Sequence, residues 1–240
     1  MKKIFLIVLL VPIVSFGQLK GLLDKAKEKV ATATGAQNGA DIGAGLKEAL
    51  NKGVTEQVSK LTATDGFYKN EAVKILLPEE LQKVDKALRK MGLSSLADEG
   101  IKSLNRAAEV AVKEATPIFV SAIKNMSFKD AKNILLGSDN AATTYLETTT
   151  STALYSKFSP VVKESIGKVG ADVVWAKIIE KYNAIPLVSK VNPDINDYVT
   201  KKAMDGVFTM IAVEEKDIRT NLNSRTSDLL KKVFALQDKK

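Results

Sequence analysis

Cysteine and histidine are both absent from this chain of 240 residues. Without cysteine the protein has no disulfide, no thiolate nucleophile and no thiolate-bound metal. Without histidine it lacks the commonest general base at neutral pH and the commonest metal-binding side chain, which excludes Ser-His-Asp catalysis and most zinc sites. We therefore expect no catalytic residue of these types, no bound metal and no cofactor.

A long hydrophobic run is also missing. The most apolar stretch, Ile4–Val14, has 11 residues, which is too short to cross a membrane because a spanning helix needs about 20. Lys2 and Lys3 precede it, and Ser15-Phe16-Gly17 follows with small residues at the two positions that a signal peptidase recognises. This pattern is typical of a signal peptide over residues 1–17, cleaved near Gly17/Gln18. We expect the mature chain in the periplasm or outside the cell, without a transmembrane segment.

The chain carries an excess of positive charge. Its formal net charge is +8, which falls to +6 once Lys2 and Lys3 leave with the signal peptide. Because lysine and arginine are interleaved with acidic residues, the charge is more typical of a solvated mixed surface than of a nucleic-acid or anionic-lipid site. An exported protein also rarely meets nucleic acid, so we expect no nucleic-acid partner.

Composition divides the mature chain into three parts. Residues 18–44 form an arm, in which an amphipathic helix over Gln18–Val30 leads into a linker rich in glycine and other small residues. Residues 45–236 carry helical patterns and form the folded domain. Residues 237–240 form a short basic tail. With 45% hydrophobic and only 6% aromatic residues, the chain suits a single globular domain.

The segment from Ser94 to Gly137 carries the longest helical pattern of the chain. We predict a central helix that is capped by Ser94 or Ser95, runs to Thr116 and is kinked by Pro117. Its apolar stripe recurs every three, four and seven residues, and comprises Ile101, Leu104, Ala108, Ala111, Val112, Ala115, Ile118, Phe119, Ala122 and Met126.

Caps and prolines predict further helices on both sides of the central one. A helix over Ile42–Leu61 ends at Thr64-Asp65-Gly66, where Gly66 is suited to the left-handed cap. Pro78 begins the next helix, whose buried face comprises Leu81, Val84, Leu88 and Met91.

After the central helix, Ser127 and Asp130 form a capping box for a helix that closes at Gly137. Ser138 or Asp139 caps a long helix to Phe158, and Pro160 begins another. The last two helices cover about Asp194–Arg219 and Ser224–Leu236. We find no strand pattern and no fixed repeat, so the predicted fold is all-α: a single, bundle-like, multi-helix domain with a long central helix kinked near Pro117.

Two polar residues interrupt apolar stripes. Asn105 lies on the buried face of the central helix, and Glu214 lies between Ile211 and Ile218 on the stripe of the last long helix. Burial of a carboxylate without a partner lowers the stability of the folded protein by several kcal/mol, unless the carboxylate takes up a proton. We therefore predict that Asn105 and Glu214 meet where the two helices pack.

Charged residues beside these positions complete the candidate site. Arg106, Arg219 and Arg225 are the natural partners for a buried carboxylate, and Glu109 is placed to pair with Arg106 along one helix face. The candidate binding residues are therefore Asn105, Arg106, Glu109, Glu214, Arg219 and Arg225.

Three interpretations of this set remain open. The first and most favoured is a purely structural network, because buried polar groups are usually paired and architectural. The second is a ligand site, in which Arg106 or Arg219 holds an anionic head group while apolar side chains take a tail. The third is catalysis with Glu109 or Glu214 as the base. It is the weakest, since no phosphate loop, nucleophile elbow or metal-ligand spacing accompanies the acids.

A threonine-rich stretch in the predicted helix that ends at Phe158 is the other unusual feature. Such a polar face either lines a ligand groove or is simply exposed, and exposure is the favoured interpretation. The threonines are Thr143, Thr144, Thr148, Thr149, Thr150 and Thr152.

Several long motifs occur in a characteristic order over most of the mature chain. They are GLKEALNKGV (45–54), DGFYKNEAVKILLPEELQKVDKALRKMG (65–92), SLNRAAEVAV (103–112), MSFKDAKNILLGSDNAATTYL (126–146), FSPVVKESIGKVG (158–170), YVTKKAMDGVFTMIAVEEKDIRTN (198–221) and RTSDLLKKVF (225–234). In these motifs the chain resembles the family of unknown function DUF4197. The resemblance implies a bacterial, exported, helical protein, and it supplies no catalytic residue.

These observations favour a non-enzymatic binding module for an amphipathic, lipid-like small molecule or for another envelope protein. The alternatives are a carboxylate-dependent hydrolase and a purely structural envelope component. The sequence does not determine the oligomeric state.

Overall fold

The structure is a computed structural model, which describes residues 42–78, 94–168 and 194–238, with single positions in the two stretches between these ranges. Internal contacts divide the chain into Met1–Asp41 and Ile42–Lys240, and every helix described below belongs to the second unit. The predicted signal peptide, the predicted helix over Gln18–Val30, most of the linker and most of the helix predicted after Pro78 lie outside the described residues.

Helix α1 covers residues 42–62, so it includes residues 42–44 of the predicted linker. Its predicted apolar face is buried, and comprises Leu46, Ala49, Leu50, Val54, Val58 and Leu61. The predicted cap is wrong, because Asp65 and not Gly66 takes the left-handed conformation, with φ 68°, which aspartate tolerates better than most residues. Gly66 is needed for space instead. A Cβ atom there would lie 2.4 Å from the carbonyl oxygen of Lys60.

The central segment is broken into two helices. Helix α2 covers Ser94–Ala111, a 3-10 turn covers Val112–Glu114, and helix α3 covers Ala115–Asn125. The break therefore lies one turn before Pro117, whereas the kink was predicted at Pro117 itself. A proline ring clashes with the carbonyl four residues earlier, which places the distortion in the preceding turn.

Two further predictions for this segment concern its N-terminal cap and its apolar stripe. Ser94 and Ser95, predicted as caps, are instead the first two residues of α2. The predicted apolar stripe is confirmed, since most of its members are less than 10% exposed and Ile118 and Ala122 are half-buried. The ring of Phe119 meets that of Phe208 edge to face, with centroids 6.0 Å apart, an arrangement that aromatic pairs prefer.

Helix α4 covers Phe128–Leu135 and begins with the predicted capping box. The Asp130 N–H donates to Ser127 Oγ at 3.1 Å, and the Ser127 N–H donates to the Asp130 carboxylate at 3.0 Å. Both bonds satisfy donors that a helix start leaves unpaired.

Helix α5 covers Ala141–Gly167 without interruption, and two predictions for it are wrong. Neither Ser138 nor Asp139 caps it, and Pro160 lies inside it rather than at the start of another helix. A proline in a helix interior costs about 3 kcal/mol. A continuous buried face on both sides of Pro160 offsets this cost, and comprises Leu146, Thr150, Leu154, Phe158, Val162 and Ile166.

Helix α6 covers Ile195–Thr220, close to the prediction, and Asp194 caps it by accepting hydrogen bonds from two backbone N–H groups. A 3-10 turn follows over Leu222–Ser224, and helix α7 covers Asp228–Phe234. This last helix begins four residues later than predicted, because Ser227 caps it through the Leu230 N–H.

The long helices α5 and α6 pack along each other, α2 packs against both, and α3 and α4 pack against α5. Gly206 on α6 permits one close contact, since a Cβ atom there would lie 2.6 Å from the Phe67 ring. The described residues contain no strand, so the all-α prediction is confirmed. None of the described helices combines the length and apolar content needed to cross a membrane.

Candidate functional site

Asn105 is fully buried on α2 and binds the segment that follows α1. Its side-chain oxygen accepts the Ile75 N–H, and its amide nitrogen donates to the carbonyls of Ile75 and Ile101, all at 2.8 Å. Both N–H donors of the amide are therefore used. Asn105 has none left for Glu214, so the predicted pairing of these two residues is wrong. Its role is to satisfy the backbone of a segment that has no strand or helix partner.

Arg106 and Glu109 pair as predicted, and both bind the turn after α1. Arg106 donates to Glu109 and to Asp65, each at 2.5 Å, while the other Glu109 oxygen accepts the Phe67 N–H at 3.2 Å. The hydrogen bond to Glu109 raises the pKa of Arg106. A hydrogen bond from Lys69 lowers the pKa of Asp65 against the opposing effect of burial, and the Arg106 charge lowers it further. This cluster holds α2 to the end of α1.

Glu215 and Arg219 form a buried ion pair that closes two helix ends. Glu215 accepts the N–H groups of Ala142 and Thr143 at the start of α5, both at 2.8 Å. Arg219 donates to Glu215 at 2.7 Å and to the Ile134 carbonyl at the end of α4 at 2.8 Å. A negative charge thus meets a helix start and a positive charge meets a helix end, which is the favourable arrangement for both helix dipoles. Glu215 replaces the cap that the sequence predicted at Ser138 or Asp139.

Arg225 is also buried and closes the end of α6. It donates to the carbonyls of Ile218 and Arg219 at 3.0 and 2.9 Å, and its guanidinium binds the Asp238 carboxylate. Gln237 accepts a hydrogen bond from Arg219 at 3.1 Å. The first two residues of the predicted tail are therefore bound to the domain. Of the predicted arginines, Arg219 and Arg225 lie together, while Arg106 belongs to the separate cluster at Asp65.

Glu214 differs from these residues because it has no cationic partner among the residues that the structure describes. It is half-buried, and one of its oxygens accepts a hydrogen bond from Gln57 Nε2 of α1 at 2.6 Å. Gln57 is only 2% exposed, and its own Oε1 has no hydrogen-bond partner among the described residues. The side chain of Glu214 crosses α1 at Gly53, where a Cβ atom would lie 3.2 Å from Glu214 Cγ.

A groove runs between α1 and α6 beside Glu214. Its volume is about 260 Å³, and charged or hydroxyl side chains form its rim: Lys52, Glu56, Lys60, Glu214, Asp217, Ser224 and Thr226. Under it lies an apolar cavity of about 30 Å³ that shares Ala49, Glu214 and Ile218 with the groove. That cavity has room for about one water molecule. We call the larger space the α1–α6 groove.

A second, more open groove of about 440 Å³ lies between α2 and the end of α5. Its charged residues include Lys102, Arg106 and Lys168, beside the exposed Val110. Arg106 is paired with Asp65 and Glu109, and Lys168 with Glu164 at 2.9 Å. Two of its three cations are therefore already neutralised by carboxylates.

Four of the six threonines in the threonine-rich part of α5 use their hydroxyl groups inside the domain, while Thr144 and Thr152 are exposed. Thr148, Thr149 and Thr150 each donate to the carbonyl four residues earlier, at 2.6–2.8 Å. Thr143 donates to Glu215 at 2.8 Å. These hydroxyl groups bind their own helix or the ion pair, as threonine often does inside helices.

A polar cluster at the start of α6 was not found from the sequence. Asp197 accepts hydrogen bonds from Tyr155 at 2.8 Å, from Asn192 at 2.6 Å and from Lys201 at 2.9 Å. Burial pushes the pKa of Asp197 up, but these donors and the Lys201 charge outweigh it and hold the pKa below the ordinary 3.8. The hydrogen bond to Asp197 in turn raises the pKa of Tyr155, so its phenol stays neutral at neutral pH. The cluster joins α5 to α6.

The buried carboxylates Glu109 and Glu215 are held by donors inside the domain. Both Glu109 oxygens are occupied, and Glu215 is bound on both sides. In the described ranges no three acidic residues are grouped so that they would hold a metal ion. Glu215 was missed because Glu214 and Glu215 lie three and four residues after Ile211, and both spacings fit one helix face. The arginine four residues after Glu215 was the available signal.

Comparison with known proteins adds the family and nothing further. A family model described as "Protein of unknown function (DUF4197)" matches residues 20–235. No curated protein and no solved structure matches the chain.

Proposed function

Since the chain belongs to this family of unknown function over nearly its whole length, we propose from its geometry that it is an exported, non-enzymatic binding module. Its α1–α6 groove docks a segment of another envelope protein. The export step rests on the pattern of residues 1–17. The docking step rests on the groove and on Glu214.

The single observation that carries the proposal is the contrast at Glu214. Every other candidate residue of the sequence, namely Asn105, Arg106, Glu109, Arg219 and Arg225, is held in hydrogen bonds or ion pairs inside the domain. Glu214 lines a groove, is half-buried and has no cation within 4.0 Å in the described ranges. Partial burial of a carboxylate without a counter-charge costs free energy. A cationic group of a bound partner offsets that cost.

The size of the groove favours a protein segment over an amphipathic small molecule. Pockets for such ligands usually have about 300–1,000 Å³ and bury most of the molecule. The apolar cavity next to Glu214 has only about 30 Å³, so it has no room for an acyl tail. A groove of about 260 Å³ with a polar rim accommodates a few side chains of a docked chain.

The alternative of a carboxylate-dependent hydrolase has less support. Such an enzyme needs a carboxylate with access to substrate and a second group to work with it. Both oxygens of Glu109 are occupied, because one accepts the Phe67 N–H and the other accepts a hydrogen bond from Arg106. Among the described residues, Glu214 is hydrogen-bonded to a neutral amide and to no second group that would work with it.

Site-specific photo-crosslinking in the producing cells tests the docking proposal. A benzophenone amino acid replaces Glu56 or Lys60 on the groove rim, or Lys163 and Lys157 elsewhere as matched exposed controls. We expect one adduct of defined mass from both rim positions and none from the controls. Equal crosslinking from rim and control positions, or no adduct from the rim, would overturn the proposal.

The export proposal has its own measurement. Mass spectrometry of the protein isolated from fractionated cells should give a mature chain that begins at Gln18 and is recovered outside the cytoplasm. A chain that retains Met1 in the cytoplasmic fraction would contradict it.

A further inference from the structure

Resting on the docking function proposed above, we infer that Glu214 and Gln57 together receive an ammonium or guanidinium group, supplied by a lysine or arginine side chain of the docked protein. This cationic group is the part of the docked protein that the α1–α6 groove recognises.

Gln57 supplies the first reason. It is 2% exposed, its Nε2 donates to Glu214 at 2.6 Å, and its Oε1 has no partner among the described residues. The amide is oriented by the carboxylate, which accepts but does not donate when it is ionised. An acceptor is thus left next to Glu214 in a place where unpaired acceptors are uncommon.

The charges around the groove supply the second reason. Lys60 is paired with Glu56 at 2.8 Å, and Lys52 donates to the hydroxyl of Thr226. No lysine or arginine nitrogen of the described residues lies within 4.0 Å of the Glu214 carboxylate, although ion pairs of that length occur at many other acids. The carboxylate therefore lacks a counter-charge.

The neighbouring carboxylate provides a comparison within the same groove. Asp217 lies one helical turn after Glu214 and also lines the groove. It accepts hydrogen bonds from Ser224 and from Asn221. Both of its oxygens thus have donors, although these donors are neutral, whereas among the described residues only one Glu214 oxygen has a donor.

The position of Glu214 explains how a cation would reach it. Gly53 lets the Glu214 side chain lie across α1, and Glu214 lines both the groove and the small apolar cavity. Gln57 is not among the residues that line either space, and it is joined to them through its hydrogen bond to Glu214. An ammonium has three N–H donors and a guanidinium has five, enough to serve the free Glu214 oxygen and Gln57 Oε1 at once. A water molecule would satisfy the hydrogen bonds but not the charge.

Nuclear magnetic resonance on the full mature chain tests the inference. The probes are Nα-acetyl-lysine methylamide and its arginine analogue, with the uncharged norleucine analogue as the control ligand. The readout is the side-chain amide signal of Gln57. We expect saturable shifts with both cationic probes, with a dissociation constant on the order of 10–100 mM for a charge-assisted contact at a half-buried carboxylate, and none with norleucine.

Two variants with the same change of charge make the test specific. Glu214→Gln should weaken binding of the cationic probes at least tenfold, whereas Asp217→Asn should retain it within about twofold, because that carboxylate is already satisfied. Gln57→Met, followed through the backbone amide signals of Gly53 and Glu214, should also weaken binding, which covers the case in which Glu214→Gln fails to fold.

Three results would overturn the inference: no shift at Gln57 up to about 100 mM of either probe, equal shifts with norleucine, or equal losses in the Glu214→Gln and Asp217→Asn variants. Crosslinks from the groove rim together with any of these results would mean that the groove docks its partner through other chemistry. The docking function would then stand without this inference.

Discussion

Glu214 and Glu215 are consecutive residues of α6, yet their surroundings differ in every respect. Glu215 is buried, faces Arg219 and accepts two backbone N–H groups of α5. Glu214 is half-buried, lies over α1 and binds one neutral amide. One step along a helix turns a side chain by about 100°, which separates a carboxylate that stabilises the domain from one that faces a groove.

This comparison separates two kinds of buried polar group. The clusters at Glu215, Asn105 and Asp65 are complete within the domain, and each joins elements that lie far apart in sequence. Networks of this kind are costly to disrupt, because the remaining partners stay buried. The Gln57–Glu214 pair is incomplete, so its removal should have little effect on folding. The following variants test this separation.

The largest loss of stability is expected for Glu215→Gln. The change leaves the Arg219 charge buried without a counter-charge and weakens the cap of α5, and breaking a buried ion pair typically costs about 3–5 kcal/mol. The free energy of unfolding, measured in urea by circular dichroism, should fall by about that amount. A loss below about 1 kcal/mol would mean that the ion pair is not structural.

A somewhat smaller loss is expected for Asn105→Leu. The variant leaves the Ile75 N–H and carbonyl without partners, and each buried unpaired group costs about 1–3 kcal/mol. We expect a total loss of about 2–4 kcal/mol in the same urea measurement. Asn133→Ala on the exposed face of α4 is the control and should cost no more than about 0.5 kcal/mol.

A pH-dependent loss is expected for Asp197→Asn. The pKa of Asp197 lies below 3.8 in the folded protein, so its ionised form stabilises the fold above its unfolded pKa, and this contribution is lost as the pH falls through the folded pKa. The stability difference between the variant and the unmodified protein should therefore be full at pH 7 and shrink below about pH 4. Asp205→Asn, in an exposed ion pair of the same helix, should show a smaller difference at pH 7. A pH-independent difference at position 197 would contradict the charge effect.

The smallest effect is expected for Glu214→Gln. Because no internal cation depends on this carboxylate, the free energy of unfolding should change by less than about 0.5 kcal/mol. Urea unfolding beside the Glu215→Gln variant makes the comparison direct. A loss as large as that of Glu215→Gln would place Glu214 among the structural networks and remove the basis for a docking site there.

Local chemistry was predicted well from the sequence. The capping box at Ser127 and Asp130 and the apolar stripe of the central segment both depend on residues within a few helical turns. The pairing of Arg106 with Glu109 depends on a spacing of three residues in the same helix. Some local caps were nevertheless wrong, as at Gly66 and at Ser94 or Ser95. Other predictions failed where distant groups decide, as at the start of α5 and at Pro160.

The candidate site was predicted only in part for the same reason. Every residue chosen for it is indeed involved in polar contacts, but the chain distributes these residues among separate clusters. The helix pattern placed an acid near Ile211 on α6 without distinguishing Glu214 from Glu215. The helix pattern also did not predict that the Asn105 side-chain amide would donate to the backbone carbonyls of residues 75 and 101.

By itself the sequence determined the all-α class, the apolar stripes and the short-range caps, because each follows from side chains that meet within one helix. Only the tertiary structure decided which of the two adjacent glutamates is buried, since the rotation of α6 depends on all the helices it packs against. Glu215 caps a helix start 73 residues earlier in the chain, and Arg219 closes a helix end 84 residues earlier. Contacts of such separation depend on how complete helices pack, and the incomplete carboxylate at Glu214 follows from that packing.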